Sequence, residues 1–524
     1  MLEGLEITVL SKSGAFIDNP NDRLDSEYFR SDILKSFALI GRCRHERLAE
    51  IVERVQHPIE VVRTYEDEGL HVVLAQNVRD NEIEFNERVF MSPTLAPVLA
   101  ANRLNQGDVL MTRSGANYGQ ASAWKEDGDA FACADLLVFR QPTCPSGYLS
   151  TFFCTTHGKL IIERGAYGMA QPHIAPTYLE QISIPRFGAL ELAVDGLVNQ
   201  SVQLKQEQLR FLAQAEQTLL RSLGLENWRP PEPLTYTRRA SEALAAGRFD
   251  SEYFAPRVAH LLAKLRADGL TIGNVAPARH EAFDPKAPQA RPIPAQGSAL
   301  GIRSHKEQAL KGRLNPEEIC RPDGALSSII PEPRALPWAG IGQAVGLEES
   351  DSDTFQYIEI GGLRGDGTAT SEATPTAKAP SRASQRVRGN DIITSTVRPI
   401  RRLSAIISPD QDGHVCSSGF VVLNPTGIAS EVLLTYLRLP AVCELMDLHT
   451  SASLYPAISE RDILLLPIPK IDNATTASIT QSIRAAHAAR QEAQSLLERA
   501  KRAVETAIEE GEAAGMEFLK AARV

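Results

Sequence analysis

The side chains best suited to recognise another molecule lie in a loop that follows a predicted strand, DVLM. This loop reads TRSGANYGQ, and its polar side chains are Arg113, Ser114, Asn117, Tyr118 and Gln120. Arginine pairs bidentately with guanine edges, asparagine and glutamine pair with adenine edges, and hydroxyl groups suit phosphates. The combination predicts a surface that contacts DNA.

A second candidate surface is the basic stretch SRASQRVRGNDIITSTVRPIRR, residues 381–402. Its six arginines and one aspartate give a local charge of +5 in a chain whose net charge is −10. The arginines are Arg382, Arg386, Arg388, Arg398, Arg401 and Arg402. Clustered arginine is the electrostatic footprint of phosphate binding. The alternatives are a solvated basic face and arginines that pair within the protein.

Two further loops each precede an apolar closing segment, ISIP or LLLPIP. They read QPHI and SLYPAI, and they place Gln171, His173 and Tyr455 where these side chains could reach bases. A lone histidine in such a loop is more often structural, so both interpretations of His173 stay open.

These loops recur because a large part of the sequence is repeated. RLDSEYF at Arg23–Phe29 returns as RFDSEYF at Arg248–Phe254, 225 positions later. Further along, Asp108 of QGDVLMTRSG matches Asp391 of GNDIITSTVR, 283 positions later. The second copy therefore carries an insertion of about 58 residues, placed between Ala276 and Tyr357. In the heptapeptide, the aspartate and serine are expected to cap the following helix, and the aromatic residues to pack it onto a globule.

Each copy ends in a predicted long helix, at 197–223 and 479–508, with apolar residues spaced three and four apart. The expected fold is α+β: two mixed α/β globules with irregular sheets alternate with two long helices. The helices are expected to pack as an antiparallel coiled coil with an approximate two-fold axis. The predicted boundaries are 1–190 for the first globule, 191–225 for the central helix, 226–246 for the linker, 247–472 for the second globule and 473–524 for the C-terminal helix.

The length of the predicted helices is similar to the spacing of major-groove faces along DNA. A helix of 27 residues (197–223) spans about 40 Å. Two major-groove faces one DNA turn apart are separated by about 34–36 Å. Two similar globules held at such a distance are suited to reading two half-sites, and their different loop sequences predict two different half-sites around an unread gap.

Composition limits the class of protein. The chain has 524 residues, 43% of them hydrophobic and 23% charged, which favours a globular protein of several domains. Its seven cysteines are odd in number and form no C-x-x-C pair, so neither a disulfide framework nor a zinc knuckle is expected. The segment MLEGLEITVL is not typical of a secretion signal, and no apolar run approaches the length of a membrane span. These features predict a cytoplasmic protein without a membrane partner.

The repeated motifs resemble those of the specificity (S) subunit of type I restriction-modification systems. The resemblance rests on RLDSEYF and RFDSEYF, on GDVLMTRSG and NDIITSTVRP, and on QPHIAPTYLEQISIP and YPAISERDILLLPIP. It covers nearly the whole chain, including the alternation with two long helices. It implies two target recognition domains, each reading half of a bipartite double-stranded DNA site. The insertion departs from a pattern of two equal copies.

The same resemblance implies the partners. They are DNA adenine methyltransferase (modification) subunits, two in number, and a motor-nuclease subunit. S-adenosylmethionine, ATP and Mg²⁺ are implied for those partners, with no cofactor or metal in this chain. A related methylation-based phage-defence system is an alternative setting.

Two other classes of function, a fused enzyme and a coiled-coil scaffold, fit the sequence less well. A fused enzyme needs motifs that are missing: Asn424-Pro-Thr-Gly lacks the second proline and the aromatic residue of an adenine methyltransferase turn, and neither a P-loop nor H-E-x-x-H occurs. We therefore expect no catalytic residues here. A coiled-coil interaction scaffold explains the helices, but it explains the matching Arg-, Asn- and Gln-containing loops less well.

Overall fold

The chain forms two globules that are joined by a pair of long helices. The computed structural model describes residues 19, 23–85, 88–115, 117–126, 128–168, 172–230, 232–284, 354–450 and 456–521.

The first globule is built around two four-stranded sheets. Its helices are α1 (Ser31–Arg42), α2 (Leu48–Ile51), α3 (Ala96–Leu99), α4 (Ser146–Cys154), α5 (Thr156–Gly165) and α6 (Pro176–Leu179). Its strands are β1 (His45–Arg47), β2 (Arg54–Gln56), β3 (Tyr65–Glu66), β4 (Leu70–Val73), β5 (Val78–Arg79), β6 (Glu82–Ile83), β7 (Val89–Met91), β8 (Val109–Thr112), β9 (Ala121–Ala123), β10 (Ala130–Ala132), β11 (Leu136–Arg140), β12 (Ala166–Tyr167), β13 (His173–Ile174) and β14 (Ser183–Pro185). The sheet orders are β10-β4-β7-β3 and β2-β11-β8-β9. Only β4 and β10 run parallel among these paired strands.

A long helix, α7 (Gly188–Ser222), leads to the second globule. The helices that follow are α8 (Ala240–Ala246), α9 (Pro256–Leu265), α10 (Ile272–Val275), α11 (Ser430–Leu437), α12 (Pro440–Leu448) and α13 (Glu460–Leu465). The strands are β15 (Thr354–Ile358), β16 (Glu372–Pro375), β17 (Ala383–Arg386), β18 (Ile392–Ser395), β19 (Ser404–Ile406), β20 (Val415–Ser417) and β21 (Phe420–Leu423). They form the sheets β16-β15-β20-β17 and β19-β18-β21. As in the first globule, one pair of strands, β15 and β20, is parallel.

The two copies of the repeat pair their strands in the same way. β2 pairs with β11 through Val55, and Ala278 makes the matching bridge to β21, 223 positions later. β4 pairs with β10 through Val72, and its counterpart Tyr357 pairs with β20, 285 positions later. These two pairings lie at either end of the interval 276–357, and the position of the insertion within it stays a prediction. Most of this interval, 285–353, falls outside the described residues.

The repeated heptapeptide forms the same local structure in both copies. In the first copy, Asp25 Oδ1 accepts a hydrogen bond from Tyr28 N at 3.1 Å. In the second, Asp250 Oδ1 accepts from Tyr253 N at 3.1 Å. The prediction that the aspartate and serine cap the following helix is wrong for α1, because its cap residue, Arg30, makes no side-chain cap hydrogen bond. The aspartate instead stabilises the short turn that precedes the helix. The predicted packing of the tyrosine onto the globule is confirmed, since Tyr28 is fully buried.

The two long helices run antiparallel, as predicted. The second globule is followed by α14 (Asn473–Glu510), and α14 is followed by α15 (Glu512–Ala521). The start of α7 packs through Leu190 into the same cluster as Ile508 at the end of α14, and Leu190 N donates to Glu512 Oε1 of α15 at 3.3 Å. The end of α7 packs through Leu219 into the same cluster as Ile479 near the start of α14. α7 begins nine residues before the predicted 197, and the domain boundaries given above stay predictions.

An alanine seam allows the close approach of the helices. Six alanines of α14 are buried: Ala486, Ala489, Ala493, Ala500, Ala503 and Ala507. A small side chain lets two helix backbones approach more closely than leucine would. At the other end, Gly224 takes a φ of +62°, which agrees with the predicted stop after α7.

The helix pair completes the core of each globule. The first globule's core contains Leu190 and Val194 of α7 and five apolar residues of α14: Ala500, Ala503, Val504, Ala507 and Ile508. The second globule's core contains Ala215 of α7 together with Ile479 of α14. Each globule is thus packed onto one end of the pair, and densely packed cores resist deformation.

Candidate nucleic-acid interface

The first candidate loop, residues 113–120, leaves the end of β8 and is held by its own backbone. Arg113 N donates to Asp135 O at 2.8 Å, which fixes its entry. Thr112 Oγ1 donates to Asn117 O at 2.6 Å, and Gly119 N returns to Thr112 O at 2.8 Å. These bonds close the loop on itself, so its side chains extend from a defined backbone.

The structure places the second candidate loop of the first globule beside the first. Ile174 N donates to Arg113 O at 3.1 Å, and Ser114 forms a bridge with His173. The second globule repeats this arrangement, where Ile458 N donates to Thr396 O at 2.9 Å. Loops that are about 60 residues apart in sequence therefore form one surface in each globule.

The five side chains predicted in the first loop differ in availability. Asn117 is exposed, whereas Arg113, Ser114, Tyr118 and Gln120 are half-buried. Gln120 Oε1 accepts from Arg79 at 3.3 Å. Tyr118 packs against the core, and this burial raises the pKa of its phenol. Asn117 is consequently the side chain of this loop that is most free to meet another molecule.

Three of the six predicted arginines have partners within the protein. Arg388 pairs with Glu281 at 2.5 Å and with Asp412 at 3.4 Å. Arg386 donates to Gly413 O at 3.0 Å, and its guanidinium lies 5.1 Å from the centre of a phenylalanine ring. Arg402 pairs with a glutamate of α7, Glu216. Pairing within the protein, the alternative left open by the sequence, therefore describes these three residues, and their contact with DNA stays a prediction.

The other three arginines, Arg382, Arg398 and Arg401, are exposed. Arg398 and Arg402 bracket a short turn and take left-handed φ values of +51° and +59°. An L-residue rarely adopts this conformation, and such strain is concentrated at binding and catalytic sites. Arg398 N is held by Pro456 O at 3.0 Å, so the strained turn is anchored to the neighbouring loop. The side chains of Arg398 and Arg401 are therefore exposed on an anchored turn.

Of the three remaining predicted residues, the structure describes only His173. Gln171 and Tyr455 lie outside the described residues. His173 is half-buried, and its ring centre lies 6.0 Å from that of Tyr167. Its Nδ1 is buried without a hydrogen-bond partner among the residues that the structure describes. The geometry leaves both interpretations of His173 open.

A groove of about 680 Å³ lies between the two globules beside α7. The charged residues that line it are Arg79, Arg364, Arg401, Arg402, Arg438, Glu84, Glu216 and Asp366. Arg438 donates to Arg402 O at 2.8 Å, and burial lowers its pKa to about 10. The lining carries five arginines and three carboxylates, so the groove is only weakly positive.

Two hairpins that the loop predictions do not include reach the helix pair from the globules. One is β5–β6, and the other spans Leu363–Ala369. A signal was present in the sequence: Val78-Arg79 and Leu363-Arg364 are 285 positions apart, and each precedes a turn rich in Asp, Asn or Gly.

In the described parts of the chain, no three His, Cys, Asp or Glu side chains are grouped as a metal ion would require. Within the same residues, no helix combines the length and apolarity needed to cross a membrane.

Several solved structures are similar to this chain over most of its length. The type I restriction-modification S subunit from M. genitalium is 9% identical, with 89% of this chain and 95% of that chain covered and a TM-score of 0.35. A structure from work on assembly and conformational transition of the type I R-M system is 14% identical, with 90% and 98% covered and a TM-score of 0.26. The HsdS subunit from Thermoanaerobacter tengcongensis is 13% identical, with 89% and 97% covered and a TM-score of 0.24. No protein-family model and no curated protein matches the chain.

Proposed function

We propose that this chain is the DNA-specificity subunit of a type I restriction-modification complex and reads an asymmetric, bipartite site. The observation that carries the proposal is the duplicated pair of adjoining loops. Each globule presents one such pair, and each globule is packed onto one end of the same antiparallel helix pair. A protein that reads two separated half-sites needs this arrangement.

The helix pair is the proposed ruler. α7 has 35 residues and α14 has 38, which correspond to about 53 and 57 Å. These lengths exceed the ~34–36 Å of one DNA turn, so two globules at the ends can face separate stretches of major groove. The DNA between them would be spanned without being read.

The side chains of the two loop surfaces support two different half-sites. The first surface offers Asn117 beside Gln120, residue types that pair with adenine. The second offers Arg398 and Arg401, residue types that pair with guanine or with phosphates. The recognised sequence is accordingly expected to be non-palindromic.

The chain is proposed to be non-catalytic. Base methylation would be carried out by two modification subunits that hold S-adenosylmethionine, and cleavage by a motor-nuclease subunit that uses ATP and Mg²⁺. This assignment rests on the sequence resemblance and on the missing catalytic motifs. The cytoplasm, where DNA and these partners meet, is the proposed location.

The proposal is tested by methylome sequencing of a host that expresses this chain with its neighbouring methyltransferase subunit, with the methyltransferase alone as the control. The expected result is a new methylated motif of two different short halves around a fixed gap, lost in the control. No motif from a well-expressed pair would contradict the proposal and favour an interaction scaffold. The same motif with no restriction of unmethylated phage DNA would place the chain in a methylation-only defence system.

A further inference from the structure

The two hairpins that reach the helix pair are related by the repeat. The turn of β5–β6 contains Asn81 at a φ of +55°. The turn of 363–369 contains Gly367 at +83°, and a Cβ there would lie only 2.9 Å from Leu434 Cδ2. Both turns therefore depend on a left-handed residue, and the second also on glycine for close packing.

The hairpins are connected by an ion pair that joins the two globules directly. Arg364 Nη1 in the second hairpin donates to Glu84 Oε2, next to the first hairpin, at 2.7 Å. The two side chains are 26% and 12% exposed. A partly buried charge pair of this kind is screened less by solvent than a surface pair.

A buried carboxylate connects the second hairpin to both long helices. Asp366 is 6% exposed, and its Oδ2 accepts from Gln208 of α7 at 2.7 Å and from Arg490 of α14. Its Oδ1 accepts from Thr368 Oγ1 at 2.6 Å. Burial opposes its ionisation, yet Arg490 and Thr368 hold the pKa of Asp366 below its ordinary value. The carboxylate is thus charged and fully engaged.

The first hairpin is connected to α7 in a similar way. Lys205 Nζ donates to Glu82 Oε1 at 2.7 Å. Arg490 also lies 3.9 Å from Glu84, so its guanidinium faces the first globule and the second. Both globules and both helices therefore meet in one polar network near the middle of the helix pair.

We propose that this network, formed by Glu82, Glu84, Lys205, Gln208, Arg364, Asp366 and Arg490 and called here the hairpin clamp, fixes how the two globules face each other and thereby the DNA gap that the protein accepts. The inference rests on the proposed function. Lengthening the gap by one base pair rotates the second half-site by roughly 35° about the DNA axis. A globule packed only at one end of the helix pair could follow such a rotation by tilting, whereas a globule also held at the middle could not. The residues of the clamp are positioning residues and do not touch DNA.

The inference is tested with Arg364→Gln, which removes the link between globules, and with Asp366→Asn, which keeps the size of the side chain. Each variant complex methylates a library in which the half-sites of the wild-type motif are fixed and the gap varies by one base pair either way. The wild-type complex is expected to prefer one gap. In both variants the preference over the neighbouring gaps is expected to fall at least about tenfold, while the half-sites stay the same.

A matched control is Arg221→Gln. Arg221 also lies on α7 and pairs with Glu226, but the two side chains are 66% and 45% exposed. This variant is expected to keep the wild-type gap preference. If Arg364→Gln and Asp366→Asn also keep it while methylating the native site, the helices alone determine the gap and the inference is wrong. Thermal unfolding of each variant identifies one that has simply lost its fold, and Arg364→Gln, the more exposed change, then decides the result.

A second measurement does not depend on DNA recognition. Spin labels are placed on the exposed positions Asp67 and Lys378, one on each globule, after Cys43→Ser and Cys320→Ser. Arg364→Gln is expected to broaden the distance distribution, and an unchanged width would contradict the inference. If wild-type protein yields no bipartite motif, the proposed function fails, and the width still shows whether the clamp holds the globules.

Discussion

Asp108 and Asp391 occupy equivalent positions in the two globules and make equivalent bonds. Asp108 Oδ2 accepts from Asn105 N at 2.8 Å, and Asp391 Oδ2 accepts from Arg388 N at 2.9 Å. Each carboxylate also pairs with an arginine, at 2.5 Å to Arg140 and at 2.8 Å to Arg279. The aspartate that identifies the repeat in sequence therefore supports the strand that presents each candidate loop.

The stability of the first globule is predicted to depend on the ion pair between Asp108 and Arg140. Asp108→Ala leaves Arg140, only 4% exposed, without its carboxylate, and we expect the free energy of unfolding to fall by about 3–5 kcal/mol. Asp391→Ala should cost less, because the side chain of Arg279 is 28% exposed. Denaturant titration of both variants measures the difference. Equal losses would show that burial of the arginine is not the controlling factor.

Arg398 is predicted to act through its side chain rather than through its backbone. Arg398→Gly removes the guanidinium but keeps the left-handed φ of +51° accessible. We expect methylation of the bipartite site to fall about ten- to a hundredfold, with an unchanged or higher melting temperature. Arg398→Ala should lose the same activity and also some stability, because alanine disfavours this φ.

A fluorescence binding assay with the assembled complex measures the effect of Arg398→Gly on affinity. The control is Arg502→Gln, which removes an exposed helical arginine whose ion pair with Glu498 is local. If Arg398→Gly binds DNA with wild-type affinity, the turn is not part of the DNA interface.

The gap is predicted to follow helix length. Removing seven residues within 197–223 and the seven that face them in α14 shortens the pair by about 10 Å. We expect the accepted gap to shorten by about three base pairs, or recognition to be lost, because the globules keep their loops but move closer. Methylome sequencing measures both the length of the accepted gap and whether the site is still recognised. A shortened protein that keeps the original gap would show that the helix pair is not the ruler.

A buried histidine predicts a specific acid sensitivity. Burial, with a contribution from Arg88, lowers the pKa of His71 to about 4. Because the unfolded chain binds this proton near pH 6.5, protonation favours unfolding, and the free energy of unfolding should fall by about 2–3 kcal/mol as the pH drops from 6.5 to 4. His71→Phe, next to Phe85 and Phe90, should flatten that part of the pH profile relative to wild type. Parallel profiles for the two proteins would exclude this histidine as the cause.

The architecture was predictable because it is recorded in local patterns. The heptapeptides at 23–29 and 248–254, the apolar spacing within 197–223 and 479–508, and the strand before Arg113 all depend on nearby residues. The contacts that decide which loop arginines are free depend on distant partners. Arg402 pairs with Glu216, which is 186 positions away in the sequence, and no local pattern indicates that pairing. The hairpin clamp is also non-local, since Asp366 meets residues of two separate helices.

The packing of the first globule onto α14 has a consequence for synthesis. Its core includes Leu190 and Val194 but also Ala500, Ala503 and Val504, more than 300 residues further along. At about 5–20 residues per second, a ribosome needs roughly 15–60 s to make the intervening chain. During that interval the nascent first globule carries an uncovered apolar surface. Chaperone occupancy on translating ribosomes is therefore expected to persist until α14 emerges.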